Sequence, residues 1–231
     1  MKRSLAILLA VSLVSLMVLY APAMADGVFA LILPGLGTVS VTEEFVEPFD
    51  SLDAWETYSS PRGVELGVEN GIYRAYAASP GYVWGLNAQE HNDIVAEVEV
   101  TPLTPFSDIG AGVMCRADTS NNGDGYYFMI NAHGYYSIRV GLGDEIAPLV
   151  DWQPSNAVRA GIDRNTIRAV CLGDHLAMYV NDELVGAVED STYSSGFAGL
   201  AVAAGNNGVD VSFDNVILYT VQGSLLLGDA A

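Results

Sequence analysis

Asn165-Thr166-Ile167-Arg168-Ala169-Val170-Cys171, a turn at Gly173-Asp174, then His175-Leu176-Ala177-Met178-Tyr179-Val180: this stretch decides the fold. Its short runs are rich in β-branched and apolar residues and are bounded by Gly, Asn and Asp, as strands are. A second turn at Asn181-Asp182 leads into Leu184-Val185-Gly186-Ala187-Val188. Residues 196–204 and 209–219 read as two further strands, the last passing through Phe213-Asp214-Asn215-Val216. Strands this short, punctuated this regularly, predict an antiparallel all-β sandwich.

The pattern extends toward the N-terminus. In residues 93–101, Ile94, Ala96, Val98 and Val100 alternate with Val95, Glu97 and Glu99, a half-buried strand with its carboxylates on the wet face. Residues 110–117 form another strand, 118–125 a polar turn, and 126–131 with 135–140 a hairpin across Ala132-His133-Gly134. Residues 151–154 (Asp-Trp-Gln-Pro) read as a loop. His91, His133 and His175 all fall at turns and read as surface residues. No segment holds a helical period.

The first residues have the form of a secretory signal peptide: Lys2 and Arg3, an apolar stretch over 4–20, and Ala23-Met24-Ala25 as a small-x-small cleavage site. The alternative is an uncleaved membrane anchor. The expected organisation is a signal peptide over 1–25, a linker or edge segment over 26–43, a sandwich over 44–220 and a fraying tail over 221–231. The chain carries a formal charge of −19, and Lys2 is its only lysine. Without Lys2 and Arg3, seven arginines face 28 carboxylates. Such a surface repels nucleic acid and anionic lipid, so neither is an expected partner.

Cys115 and Cys171 are the only cysteines. In an exported chain an even pair predicts a disulfide, and both sit on strand faces that read as core. Two buried free thiols are the alternative.

Several pieces together carry a family likeness. They are Gly112-Val113-Met114-Cys115-Arg116-Ala117 followed by Tyr126-Tyr127-Phe128-Met129-Ile130; Gly134-Tyr135-Tyr136-Ser137-Ile138; Val180-Asn181-Asp182-Glu183-Leu184-Val185; Gly196-Phe197-Ala198-Gly199-Leu200; and Phe213-Asp214-Asn215. The chain resembles concanavalin A-like lectin/glucanase jelly-roll domains, of the group that includes 3-keto-disaccharide hydrolases and laminin-G-like modules. The resemblance spans roughly residues 44–219, with motifs that are mostly structural. It implies a two-sheet jelly-roll β-sandwich and, as activities to weigh, glycan recognition or glycoside hydrolysis.

Hydrolysis needs two carboxylates across a sugar. Glu97 and Glu99 share a face, but such a pair on an alternating strand is most often its solvated side. Asp214 is a weak catalytic candidate; anchoring the last strand through nearby backbone suits it better. Asp118, Ser120, Asn122 and Asp124 space oxygen ligands as the front half of an EF-hand loop does, but the twelfth position is Met129, so a polar turn is favoured over a calcium site. No other cofactor is expected.

Carbohydrate binding is the leading expectation, because exposed aromatics beside Asn, Asp and Arg suit sugar rings. Strand phase places Tyr127, Asn131, Tyr135, Arg139 and Arg116 on one sheet face, with Trp84 and Trp152 at its rim. The alternative is that these tyrosines only cover the sheet. The expected protein is thus a secreted, non-catalytic recognition module for a polysaccharide or glycosylated surface. The other readings are a glycoside hydrolase and a structural or adhesive cell-surface module.

Overall fold

Period-two alternation builds two antiparallel sheets, seen in a computed structural model that describes residues 27–50, 55–104, 110–120 and 122–227. The larger runs β14 (Glu183–Glu189), β13 (His175–Val180), β12 (Asn165–Leu172), β7 (Ile94–Pro102), β16 (Val209–Leu227), β5 (Ile72–Ala77), β4 (Val64–Glu69) and β3 (Tyr58–Ser60). Beside the far half of β16 lie β2 (Gly37–Glu47) and then β1 (Val28–Leu33). The smaller sheet runs β11 (Glu145–Pro154), β10 (Tyr135–Leu142), β9 (Gly125–Ile130), β8 (Gly110–Ala117), β15 (Gly196–Ala204) and β6 (Gly81–His91). The segments read as a signal peptide and as the last residues of the tail lie outside the described residues.

The core lies between the sheets. Ile94, Ala96, Val98 and Val100 of β7 and Ile167, Ala169 and Cys171 of β12 meet Val113 and Cys115 of β8 and Phe128 of β9, all buried. Cys115 and Cys171 are disulfide-bonded, with Cα atoms 6.8 Å apart, and so tie one sheet to the other. Across the outer face of the large sheet, Arg168 stands opposite Glu97, and its guanidinium bridges Glu97 and Asp182. Glu99 accepts from Arg164 and Asn215.

The N-terminal segment is a strand hairpin, and two other segments depart from expectation. Residues 26–43, read as a linker or edge, contain β1 and most of β2, a hairpin that covers part of that outer face. Leu33, Val39 and Val41 bury Val95, Val170, Ala177 and Tyr179 beneath them, and Tyr179 donates its hydroxyl to the Pro34 carbonyl at 2.8 Å. The tail read as fraying continues β16 to Leu227, because β2 offers it a partner out to Gly37. Residues 151–154 belong to edge strand β11, where Pro148 and Pro154 are tolerated because only one side is paired.

Candidate functional site

The outer face of the smaller sheet has a floor of small residues: Gly110 and Gly112 on β8, and Gly199, Ala201 and Ala203 on β15. Side chains from the flanking strands fold over this trough. Tyr82 and Trp84 come from β6; Tyr127 and Met129 come from β9; Trp152 comes from β11. Tyr82 and Tyr127 meet edge to face, with centroids 5.7 Å apart. Tyr127 and Met129 are wholly buried, and the Tyr127 hydroxyl donates to the Gly123 carbonyl at 2.7 Å. Burial pushes the Tyr127 phenol above its ordinary range, with the neighbouring Tyr82 and Asp124 adding to it.

The face therefore brings together four of the seven expected residues: Trp84, Tyr127, Arg139 and Trp152. Arg139 stands opposite Tyr127 and donates to Ser137 Oγ at 3.2 Å and to the Ile146 carbonyl at 3.4 Å. Asn131 sits in the β9–β10 turn, where its Oδ1 accepts from the backbone of His133 and Tyr135. Tyr135 is exposed at the far end of β10.

Arg116 is not on this face. It is an extra residue in β8 at a register shift against β15, with φ of 53°, and this bulge turns its side chain away. The guanidinium is buried. It donates to the carbonyls of Asn92 (3.1 Å), Gly173 (2.6 Å) and Tyr193 (2.8 Å) and to Asp93 Oδ1 (3.0 Å). It closes three loops rather than facing a ligand. His91, expected at the surface, is also buried, 3.0 Å from the Asn87 amide.

Two other candidate groups are engaged within the fold. Asp118 accepts from the Ser120 amide, Ser120 Oγ donates to Asn122, Asn122 donates to Asp124, and Asp124 accepts from the Gly143 amide. The described residues hold no group of three or more His, Cys, Asp or Glu placed to bind a metal. Asp214 Oδ1 accepts from the Asn215 amide at 2.8 Å, at the irregularity where β16 shifts register against β7.

A cleft of about 580 Å³ opens where β6 passes β3 and β4. Tyr82, Trp84, Tyr58, Leu66 and Glu56 line it. Trp55 and Glu56 lie against β6: Trp55 bridges to Asn87, the Glu56 amide donates to the Leu86 carbonyl, and Glu56 Oε2 accepts from the Leu86 amide at 3.1 Å. The buried Tyr73 hydroxyl donates to the Glu56 carbonyl at 2.7 Å. Glu56 is thus held at the mouth of the cleft, while Tyr58, 55 % exposed, is free to meet a ligand. Sequence reading found Trp84 but missed Glu56, Tyr58 and Tyr82. The i, i+2 spacing of Tyr82 and Trp84 puts both on one strand face and was the available signal.

No protein-family model matches the chain, and no curated protein sequence does. Solved structures do. The carbohydrate-binding module CBM66 from Bacillus subtilis is 19 % identical, with TM-score 0.55 over 75 % of this chain and 98 % of that one. A Bacillus licheniformis β-glucanase is 14 % identical, with TM-score 0.54 over 77 % and 98 %. The endo-β-1,3-glucanase of Pyrococcus furiosus is 11 % identical, with TM-score 0.60 over 84 % and 99 %. The fold is a concanavalin A-like jelly roll. Within that fold, the trough is filled by the chain's own aromatic side chains, and open apolar surface beside a carboxylate lies at the β6 margin.

Proposed function

We propose that this protein is a secreted, non-catalytic carbohydrate-recognition module whose binding site is the cleft bounded by Glu56, Tyr58, Tyr82 and Trp84. The cleft itself carries the reading. Aromatic rings offer flat apolar surface to the C–H face of a sugar, and Glu56 offers an acceptor to its hydroxyls. The likeness in fold to a carbohydrate-binding module and to glucanases is in keeping with it. The disulfide through the core suits an oxidising compartment outside the cytoplasm.

Recognition is favoured over hydrolysis because glycosidases need two carboxylates about 5–9 Å apart, whereas Glu56 is the one carboxylate among the described residues that line this cleft. The strongly acidic surface favours neutral or amine-bearing glycans over acidic ones.

The test is retention on a panel of neutral, amino and acidic polysaccharides, with calcium and with chelator. Retention on a neutral or amino glycan, lost in Tyr58→Ala, supports the reading. Absence of retention throughout overturns it. Turnover of a 3-keto-disaccharide, abolished by Asp214→Ala in a folded protein, establishes the hydrolase instead. Binding to cells but to no free glycan establishes an adhesive module.

A further inference from the structure

Among the described residues, the sheets leave five strands paired on one side along most of their length: β14, β3, β11, β6 and β1. Open edges invite pairing with other chains, and natural proteins block them with charge, proline, bulges, shortness or cover. Four of the five are blocked. Edge β14 carries Glu183 and Glu189 and has a register shift against β13. Edge β11 carries Glu145, Asp151, Pro148 and Pro154 and two register shifts. Edge β3 is three residues long. Edge β6 carries Glu90, and Trp55 bridges to its Asn87.

Among the described residues, edge β1 has none of these devices. Its sequence, Val-Phe-Ala-Leu-Ile-Leu, is uncharged and free of proline, and its register against β2 is unbroken. Ile32 is 64 % exposed and Phe29 36 %. The lack of charge extends around it, since no charged residue occurs from Gly27 to Thr42, nor from Asn215 to Gly228. In a chain with 28 carboxylates, residues 27–42 of the hairpin and the stretch of β16 they pair with form an uncharged three-strand patch, bordered by Glu43 on β2.

We infer that β1 pairs antiparallel with β1 of a second copy, joining two large sheets into one across a two-fold axis. Two such acidic proteins repel wherever carboxylates face each other, and this patch lets them meet without doing so. An antiparallel pairing of identical strands is self-complementary and closed, as a two-fold interface requires. It also satisfies the free N–H and C=O groups of β1, which a lipid surface cannot do.

The test uses residues 26–231, which contain every described residue, with mass read by sedimentation and light scattering. The expected result is a dimer. Ile32→Lys and, separately, Ala30→Pro should give monomers with unchanged circular dichroism, because each blocks the open edge. Leu142→Lys, also at an exposed apolar site, should leave the dimer intact. A monomeric wild type overturns the inference, as does a dimer that survives both β1 substitutions. Binding of the wild type to neutral lipid vesicles, lost in Ile32→Lys without a change in mass, assigns the patch to a membrane and overturns it too.

Discussion

Arg116 on β8 donates to the Gly173 carbonyl at 2.6 Å, two residues beyond the Cys171 to which its neighbour Cys115 is bonded. Adjacent residues of one strand thus hold the same turn of the opposite sheet, one covalently and one by charge. The remaining donors of Arg116 collect the Asn92 and Tyr193 carbonyls and Asp93, so several loops depend on one guanidinium.

Arg116→Ala should therefore destabilise the fold by roughly 3–5 kcal/mol, because three carbonyls and a carboxylate lose a buried, charged donor. Arg116→Lys should recover only a small part, since an ammonium cannot reproduce the guanidinium's planar fork. Urea denaturation measures both.

Opening the Cys115–Cys171 bridge should cost about 4 kcal/mol in the chain-entropy model, given its sequence separation of 56. Denaturation with and without reductant reads this, and a mass shift only after reduction and alkylation proves the bridge. Because Arg116 and the disulfide hold one turn, their effects should depart from additivity in a double-mutant cycle.

Alkali should loosen the N-terminal hairpin. Burial pushes the Tyr179 phenol up to about 12, against a lowering by nearby Arg168, and its hydroxyl bonds Pro34. The unfolded chain releases such protons near pH 10. Stability from this group is therefore intact below about pH 10 and lost as pH rises toward 12. Burial also holds Tyr73, Tyr126 and Tyr127 above the ordinary range, which steepens the loss. The part of the tyrosinate absorbance that these four tyrosines supply should rise together with unfolding rather than ahead of it. Tyr179→Phe should cost about 1 kcal/mol at neutral pH.

In the cleft, Tyr58→Ala and Trp84→Ala should behave differently. Tyr58 is more than half exposed, so its loss should leave the melting temperature unchanged while weakening glycan binding about 10- to 100-fold, the worth of one buried ring face. Trp84 packs in the aromatic cluster over the trough, so Trp84→Ala should lower both binding and melting temperature. Calorimetry on the same preparations separates the two effects.

Much of the fold was legible because its information is local. β7, β8 and β12 to β15 show alternation or apolar runs between turn residues, and β8, β13 and β15 fall on or near the expected residues. β1 was legible only as a linker or first edge strand, and β11 was not legible as a strand. The first is an apolar run punctuated by Gly and Pro, and the second carries two prolines that only an edge position permits. The site was less legible, because its geometry depends on pairing between distant strands. Phase counting put Arg116 beside Tyr127, but one extra residue in β8 reverses that phase. Tyr127 does face outward as expected; glycines and alanines one and two strands away leave the space into which its neighbours fold and bury it.

The last of the sixteen described strands in chain order is also the one in the middle of the large sheet. β16 is partner to β5, β7 and β2, elements that leave the ribosome long before it. Until residues 209–227 arrive, the large sheet is three separate pieces, β14 to β7, β5 to β3 and the β1–β2 hairpin, with no strand between them. Contacts this distant in sequence form slowly. The parts already made therefore stay apart until the strand that joins them exists, and the large sheet closes in one late step.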